Sequence, residues 1–530
     1  MLTLQWTLIL LVAAVALSAI ARRLRVPYPS LLALMGAALV FVPGAPHPVL
    51  SPELALALFV APVLLDAAYD ASVRDLRDNW FPITCLVLAA VGVTTVAVAV
   101  AVKWLVPELP WAAAVAVGAI TAPPDAAAAT AVLKVSRPPH RIVQILEGES
   151  LFNDASALLV YRVAVSLAMG SSFSPLTGTP LLLGVLVGSV AAGAALGWTY
   201  TRLLEHVDDA PSAIVMQFAG TFGVWIASEH VGLSGILTVV AYAITIARRS
   251  PSTTPARIRL PSYSVWATVV FVLNALAFVL IGLQLGPILS ALGPADRRQY
   301  AIVALAVLGV VIASRFAWVM SYDAVARWHV RRFGRTGRES LMPPTVAGGL
   351  IVSWCGMRGI VSLASALALP GGEHPFPGRD LILVIAFTVV LGTLVLQGLT
   401  LRPLLRWLDL RDDEPVAREI ALAHERLLAR ALAVIDGRHS EAATALRYEM
   451  EAVWAPVAGG SSQDIDIDPG EYARLRQRIT HAARDELVQM RERGEIGDDA
   501  FHAVEVKIDR AEMYGDTVDE PAPAGDDAKR

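Results

Sequence analysis

Apolar runs long enough to cross a bilayer recur from the first residues of this 530-residue chain to about Trp407, and then they stop. About 20 apolar residues cross a hydrocarbon core as a helix, and lipid allows only helices and closed barrels to span it. The residue content agrees with that constraint: the chain is 55% hydrophobic and only 17% charged, with a mean hydropathy of +0.57. Such a chain is an all-α polytopic membrane protein followed by something built differently.

Thirteen candidate spans are expected, at roughly 2–20, 29–43, 50–67, 81–104, 109–133, 141–169, 178–204, 211–229, 232–248, 262–285, 299–325, 345–369 and 379–408. The first has no basic stretch before it and no clear cleavage site, so it reads as a retained span. An odd number places the termini on opposite sides. Arg22, Arg23 and Arg25, then Arg74 and Arg77, then Lys134, Arg137 and Arg141, then Arg248, Arg249, Arg257 and Arg259, then Arg327 to Arg338 fall in alternate loops. By the positive-inside rule those loops are cytoplasmic, which puts the N-terminus outside and the C-terminus inside, in a cell inner membrane. Cys85 and Cys355 lie in or near apolar segments and imply neither a disulfide framework nor a metal site.

Two spans are interrupted. The fifth contains TAPPDAAAA, where Pro123 and Pro124 remove two backbone donors and should break the helix. The twelfth contains SWCGMRGIVS, where Gly356 and Gly359 flank Arg358. The spacing of the two breaks fits two inverted repeats of about six spans joined by a linking helix.

The sixth span carries LEGESLFNDAS, which places Glu147, Glu149 and Asp154 where charge is costly, at least about 2.5 kcal/mol near the bilayer centre. At helical pitch Glu147, Ser150 and Asp154 share one face, and Glu149 and Asn153 a neighbouring one. Hard monovalent cations take oxygen ligands, and the candidates are Asp154, Asp125, Ser150, backbone carbonyl oxygen near Pro124, and Asp66 in the third span. A carboxyl at such a site holds a proton or a cation but not both, and with alternating access that competition suffices for exchange. The histidines of residues 1–410 sit at loops or span ends, so proton carriage falls to carboxylates.

Beyond Asp409 the pattern changes. Residues 411–530 hold 27 acids against 16 Lys and Arg, a balance of −11, which leaves +7 for residues 1–410 of a chain whose net charge is −4. Helices are expected at roughly 416–436, 440–454, 470–494 and 498–514, separated by the linker GGSSQDIDIDPG and ended by an acidic, disordered terminus. The chain therefore divides into a transmembrane part, 1–410, and a soluble helical acidic tail, 411–530.

These residues carry a resemblance. GESLFND (Gly148 to Asp154), APPDA (Ala122 to Ala126), FVLNALAFVLIGLQL (Phe271 to Leu285), GMRGIVSLASALALP (Gly356 to Pro370) and, in the tail, ELVQMRERGEIGDDAF resemble the sodium/proton exchanger branch, bacterial type, of the monovalent cation:proton antiporter family. The resemblance implies an ion-binding aspartate at Asp154 with Asn153 before it, a ligand serine at Ser150, and a second aspartate at Asp125 in the broken fifth helix. Transported Na+ would lie among Asp154, Asp125 and Ser150. Where the family commonly reads Thr-Asp-Pro this chain has Pro124, Asp125 and Ala126; the carbonyl of Pro124 survives the change and a side-chain hydroxyl does not. Asp66 stands where Glu is common, so its shorter arm suits a water bridge or a structural role as well as direct ligation. Glu149 matches a glutamate that the family pairs with an arginine, either Arg315 or Arg358; Arg315 is favoured, which leaves Arg358 to balance charge at the broken twelfth helix. Asn274 matches a family position whose expected use is a helix-packing hydrogen bond.

The expected activity is secondary-active exchange of Na+ or Li+ for H+, serving pH homeostasis, with a potassium/proton antiporter and a cation channel as alternatives. No filter-like loop favours a channel. No Ser/His/Asp set, HExxH or phosphate-binding glycine loop suggests an enzyme, and neither a cofactor nor a nucleic-acid partner is expected. A homodimer follows from resemblance alone. Exchange is expected to be electroneutral: Asn153 stands where the electrogenic branch has a second aspartate, no lysine lies mid-span, and arginine keeps its proton.

Overall fold

Backbone N–H and C=O groups find no water in hydrocarbon, and helix is the form that pairs them within one segment. The structure, a computed structural model, describes residues 2–24, 26–42, 52–125, 128–130, 133, 138–170, 175–291, 293–333, 345–371, 374–410, 414–454 and 468–516. Among the described residues the regular secondary structure is all helical.

The membrane part begins with α1 (Leu2–Leu24) and α2 (Tyr28–Leu39). Helix α3 covers 52–70 and contains a π-helical stretch, Leu56–Val60. A short α4 (Val73–Asp78), started by the Ser72 side chain, leads into α5 (Trp80–Leu105) and the half-helix α6 (Trp111–Thr121). Then come α7 (His140–Ala168), α8 (Pro175–Leu204), α9 (Ala210–His230), α10 (Gly235–Thr253), α11 (Ala256–Leu283) and α12 (Pro294–Phe333). The interrupted segment forms α13 (Val346–Trp354) and α14 (Ile360–Leu367), and α15 (Arg379–Leu408) follows.

Seven of the described helices are long and apolar enough to cross a membrane, and α2 and α6 are shorter apolar ones. Length alone thus returns fewer spans than the thirteen expected. Part of the difference has a physical source, because the expected fifth and twelfth spans are divided at their Pro and Gly positions, and α6, α13 and α14 are each too short to cross by themselves.

Interior helices are apolar all round and pack closely. Along α6, Ala113, Ala114, Ala116, Val117, Gly118 and Ala119 are all buried. Helix α2 crosses α11 at Gly36 and Gly282, and a Cβ on either would overlap backbone of the other helix. Association in lipid gains from this kind of close approach, since lipid tails are as apolar as leucine. The outward faces expose Val12, Leu181, Val187 and Val215, while Trp104 and Trp407 stand at helix ends as interfacial anchors.

The remaining helices are α16 (Pro415–Ile435), α17 (Glu441–Trp454), α18 (Pro469–Glu492) and α19 (Asp498–Asp516), within a few residues of expectation. They close round a cluster of their own that includes Leu427, Leu446, Leu487, Phe501 and Ile508. Residues 455–467, which hold most of the expected linker, and 517–530, the expected disordered end, lie outside the described residues. Helix α19 packs on α11. That contact corrects one expectation: Arg259, expected in a loop, lies in α11 and is buried against Asp509 of α19. Its partner is 250 positions away, beyond the reach of any local pattern.

Candidate ion-binding site

Breaking two helices inside a membrane releases backbone carbonyls, and each needs a donor. The structure supplies donors for five carbonyls at the crossing of α6 with the α13–α14 break, those of Thr121, Ala122, Pro124, Gly356 and Met357. Arg358, fully buried, donates from Nε to the Thr121 carbonyl at 2.9 Å and from Nη2 to that of Ala122 at 3.2 Å. Its Nη1 donates back to the Gly356 carbonyl. The Asp125 N–H donates to the Met357 carbonyl at 2.6 Å, and the Asn153 amide donates from Nδ2 to the Pro124 carbonyl at 2.8 Å. The Thr393 hydroxyl accepts from the Arg358 N–H at 3.0 Å. One arginine therefore fastens both broken helices together through backbone oxygen.

The other candidate arginine does a different job. Arg315 makes a fork with Glu149, Nη1 to Oε1 at 2.6 Å and Nη2 to Oε2 at 2.8 Å, and also donates to the Val352 carbonyl from Nε at 3.2 Å and Nη2 at 3.0 Å. Both side chains are buried. The two parallel bonds match guanidinium to carboxylate. Arg358 does not reach Glu149; its donors go to carbonyls.

Helix α7 separates its polar residues by face. Glu147, Ser150 and Asp154 line a cavity of about 420 Å³ whose other walls include Asp125, Pro124 and Asp66. Glu149 and Asn153 face away and are buried, as the helical offset dictates. The resemblance implies Asn153 among the cation-binding residues beside Asp154; in the structure its amide holds the Pro124 carbonyl, so that carbonyl already accepts one bond. Gly359 is needed where it stands, because a Cβ there would overlap the Asp125 carboxyl. Among the described residues no basic side chain and no hydrogen-bond donor pairs with the Asp154 carboxylate. No three described His, Cys, Asp or Glu side chains stand close enough to hold a metal ion, so a cation at Asp154 must draw on hydroxyl, carbonyl or water oxygen besides carboxylate.

The cavity also takes in residues left out of the expected ligand set: Tyr28, Asp70, Thr130, Glu147 and Asn274. Glu147 was within reach of sequence reasoning, three positions before Ser150 on the same face. Tyr28 and Asn274 come from α2 and α11, and only the packing of those helices brings them here. Arg162, two turns past Asp154, pairs with Glu229 at 2.6 Å on the exposed side.

This is the arrangement of a membrane-embedded cation carrier, with two helix breaks crossing beside a carboxylate-lined cavity. Residues 8–407 match the family described as Sodium/hydrogen exchanger, transmembrane, and the chain belongs to that family. It is 30% identical to an uncharacterized Na(+)/H(+) exchanger of Mycobacterium tuberculosis over 96% of this chain and 95% of that one. It is 31% identical to the low-affinity Na(+)/H(+) antiporter NhaS1 of Synechocystis, over 81% of this chain and 79% of the relative. The fold resembles that of the sodium proton antiporter MjNhaP1 of Methanocaldococcus jannaschii at pH 8, with a TM-score of 0.59 at 18% identity, covering 77% of this chain and 99% of that structure.

Proposed function

We propose that this multi-pass membrane protein is a sodium/proton antiporter in which Na+ and H+ compete for the Asp154 carboxyl. One observation carries the reading: Asp154 lines the cavity with no basic partner among the described residues, while Glu149 on the same helix is held by Arg315. A fixed cation beside Asp154 would compete with the transported ion; its absence leaves the carboxylate to a proton or to Na+. Asp125, Ser150 and Asp66 share the cavity and complete the proposed ligand set, with Glu147 beside them. Asn153, Arg315 and Arg358 hold the frame. The family and the printed names of its relatives support Na+ as the cation, and the chemistry is transport, not catalysis of a bond change.

The basic loops support an inner membrane with the tail cytoplasmic, residues 1–410 forming the transport unit and 411–530 a regulatory one. A homodimer is the proposed assembly, and the mass of the detergent-solubilised protein tests it: a monomer's mass would reject it. With no mid-span lysine, and provided Asp125 and Asp66 keep their protonation when the cation leaves, one proton is exchanged per cation and exchange is electroneutral. The test uses purified protein in liposomes with a pH dye inside and imposed Na+, Li+ or K+ gradients. A Na+ gradient should drive proton flux; flux driven by K+ alone would make this a potassium exchanger. With the potential clamped by valinomycin, the rate should not follow voltage, whereas one net charge per cycle would shift it by about 2.3 kcal/mol per 100 mV.

A further inference from the structure

A cavity of about 340 Å³ lies where the tail meets the membrane part, and it shares no lining residue with the cavity round Asp154. Five arginines line it: Arg74 and Arg77 of α4, Arg248 near the end of α10, Arg491 in the last turn of α18, and Arg493 just beyond. Three acids, Asp78, Glu492 and Asp498, stand in the same wall, so the balance there is positive.

The arginines are of two kinds. Arg74 and Arg491 are fixed in place. Arg74 donates from Nη2 to Glu419 of α16 at 2.8 Å and from Nη1 to the Gly494 carbonyl at 3.3 Å, and a Cβ on Gly497 would overlap its guanidinium. Arg491 has its Nε 2.6 Å from Asp498 and its guanidinium 4.6 Å from the centroid of the buried Phe501 ring. Asp498 also accepts from the Val73 N–H at 3.1 Å, which makes tail and α4 one continuous wall. Arg77 and Arg248, by contrast, are exposed and form neither an ion pair nor a hydrogen bond among the described residues. Arg493 is exposed too, and its partners among the described residues are in the tail, Gln489 at 2.7 Å and Glu495 at 3.9 Å. These three can turn toward a ligand without giving up a buried contact. Their level in the membrane is marked as well, because Trp80 and Phe81 follow α4 directly and are exposed at the start of α5. Exposed aromatic rings beside arginine belong at the depth of lipid headgroups.

We propose that this cavity binds a phosphate group, carried by an anionic lipid headgroup or by a soluble phosphate compound. Arg77 and Arg248 of the membrane part and Arg493 of the tail supply the free donors, over a floor set by Arg74 and Arg491. Guanidinium matches phosphate oxygen with parallel N–H bonds, and basic pockets on the cytoplasmic side of membrane helices suit anionic headgroups. The bound group joins tail to membrane part, since donors from both converge on it. The site stands apart from the ion path and does not depend on the antiport reading.

The experiment uses the full chain in detergent at constant ionic strength, titrated with a short-chain phosphatidylglycerol, with its zwitterionic phosphatidylcholine counterpart, and with inorganic pyrophosphate. Binding is read from the melting temperature and the native mass spectrum for wild type, for Arg77→Gln combined with Arg248→Gln, and for Arg493→Gln. None of the three side chains is buried, so without ligand the variants should melt with wild type. Wild type should bind one phosphatidylglycerol or one pyrophosphate per chain and melt higher with it, while phosphatidylcholine does neither. Each variant should weaken that binding roughly tenfold or more, because a bond to a charged group goes with each arginine. Binding of phosphatidylglycerol alone assigns the site to a lipid headgroup, and binding of pyrophosphate, with or without the lipid, to phosphate as such; each upholds the proposal. Binding of neither, equal binding of phosphatidylcholine, or full-strength binding by either variant overturns it.

Discussion

Glu149 and Asp154 are acids on one membrane helix, five positions apart, and the structure treats them in opposite ways. Glu149 points into packed protein, where Arg315 forks onto both of its oxygens. Asp154 points into a cavity and meets no cation from the protein among the described residues. The difference is one of angle: at 3.6 residues per turn, five positions carry a side chain well round the helix axis. A single helix can therefore hold a charge as a structural fixture on one side and keep a charge available for exchange on the other. What decides the role of a buried carboxylate is whether the protein itself supplies the counter-charge.

The largest effect is expected from breaking the fixed pair. Glu149→Ala leaves Arg315 buried and uncompensated, a cost of roughly 3 to 5 kcal/mol, so thermal stability in detergent should collapse. Removing the stranded charge as well, in Glu149→Ala with Arg315→Ala, should recover part of it. Recovery with Arg358→Ala in place of Arg315→Ala would mean the pairing had been assigned to the wrong arginine.

A smaller loss is expected at the crossing. Arg358→Lys keeps the charge but not the planar set of donors that serves Thr121, Ala122 and Gly356, and one carbonyl left unpaired costs about 1 to 3 kcal/mol. Stability measured as before should fall by that much, and a fully stable lysine variant would show that the three carbonyls do not depend on a guanidinium. Gly359→Ala sharpens the comparison from the other side, because the added Cβ displaces the Asp125 carboxyl and leaves the Glu149 pair alone. Exchange in liposomes should drop by about a factor of ten or more while thermal stability changes little. An unaltered exchange rate would remove Asp125 from the working set.

How much of this was legible in the sequence follows the reach of each signal. Apolar run length located α15 to the residue, and amphipathic spacing placed the tail helices, because both signals are local. The Pro123–Pro124 and Gly356–Gly359 interruptions marked where helices stop, since proline lacks the donor and glycine lacks side-chain support. What fills the gaps was not legible. Arg358 takes carbonyls from 236 and 237 positions earlier, and Asn153 takes one from Pro124, so their uses emerge only when the helices cross. Arg259 shows the same limit in the tail contact. The π-helical stretches in α3 and α5 left no mark in the pattern, because a π turn uses the same apolar residues as the α-helix around it.

The smallest effect is expected in the tail. Burial first, then Lys507, hold His424 below its ordinary value of 6.5. The unfolded tail then takes up a proton more readily than the folded one, so the stability His424 contributes is present above about pH 6.5 and is lost as pH falls through that value toward the lower folded one. Comparing the melting temperature of wild type with His424→Gln across that range should show a slightly shallower acid slope in the variant. Identical slopes would place the acid sensitivity elsewhere.

The central claim is that Na+ and H+ exclude each other at Asp154. It is tested most directly by adding Na+ to purified, weakly buffered protein and reading proton release with a pH dye. Wild type should release about one proton per chain as sodium binds, because the carboxyl cannot hold both, and Asp154→Asn should release none. Sodium binding to wild type without proton release, or equal release from the asparagine variant, would contradict the account.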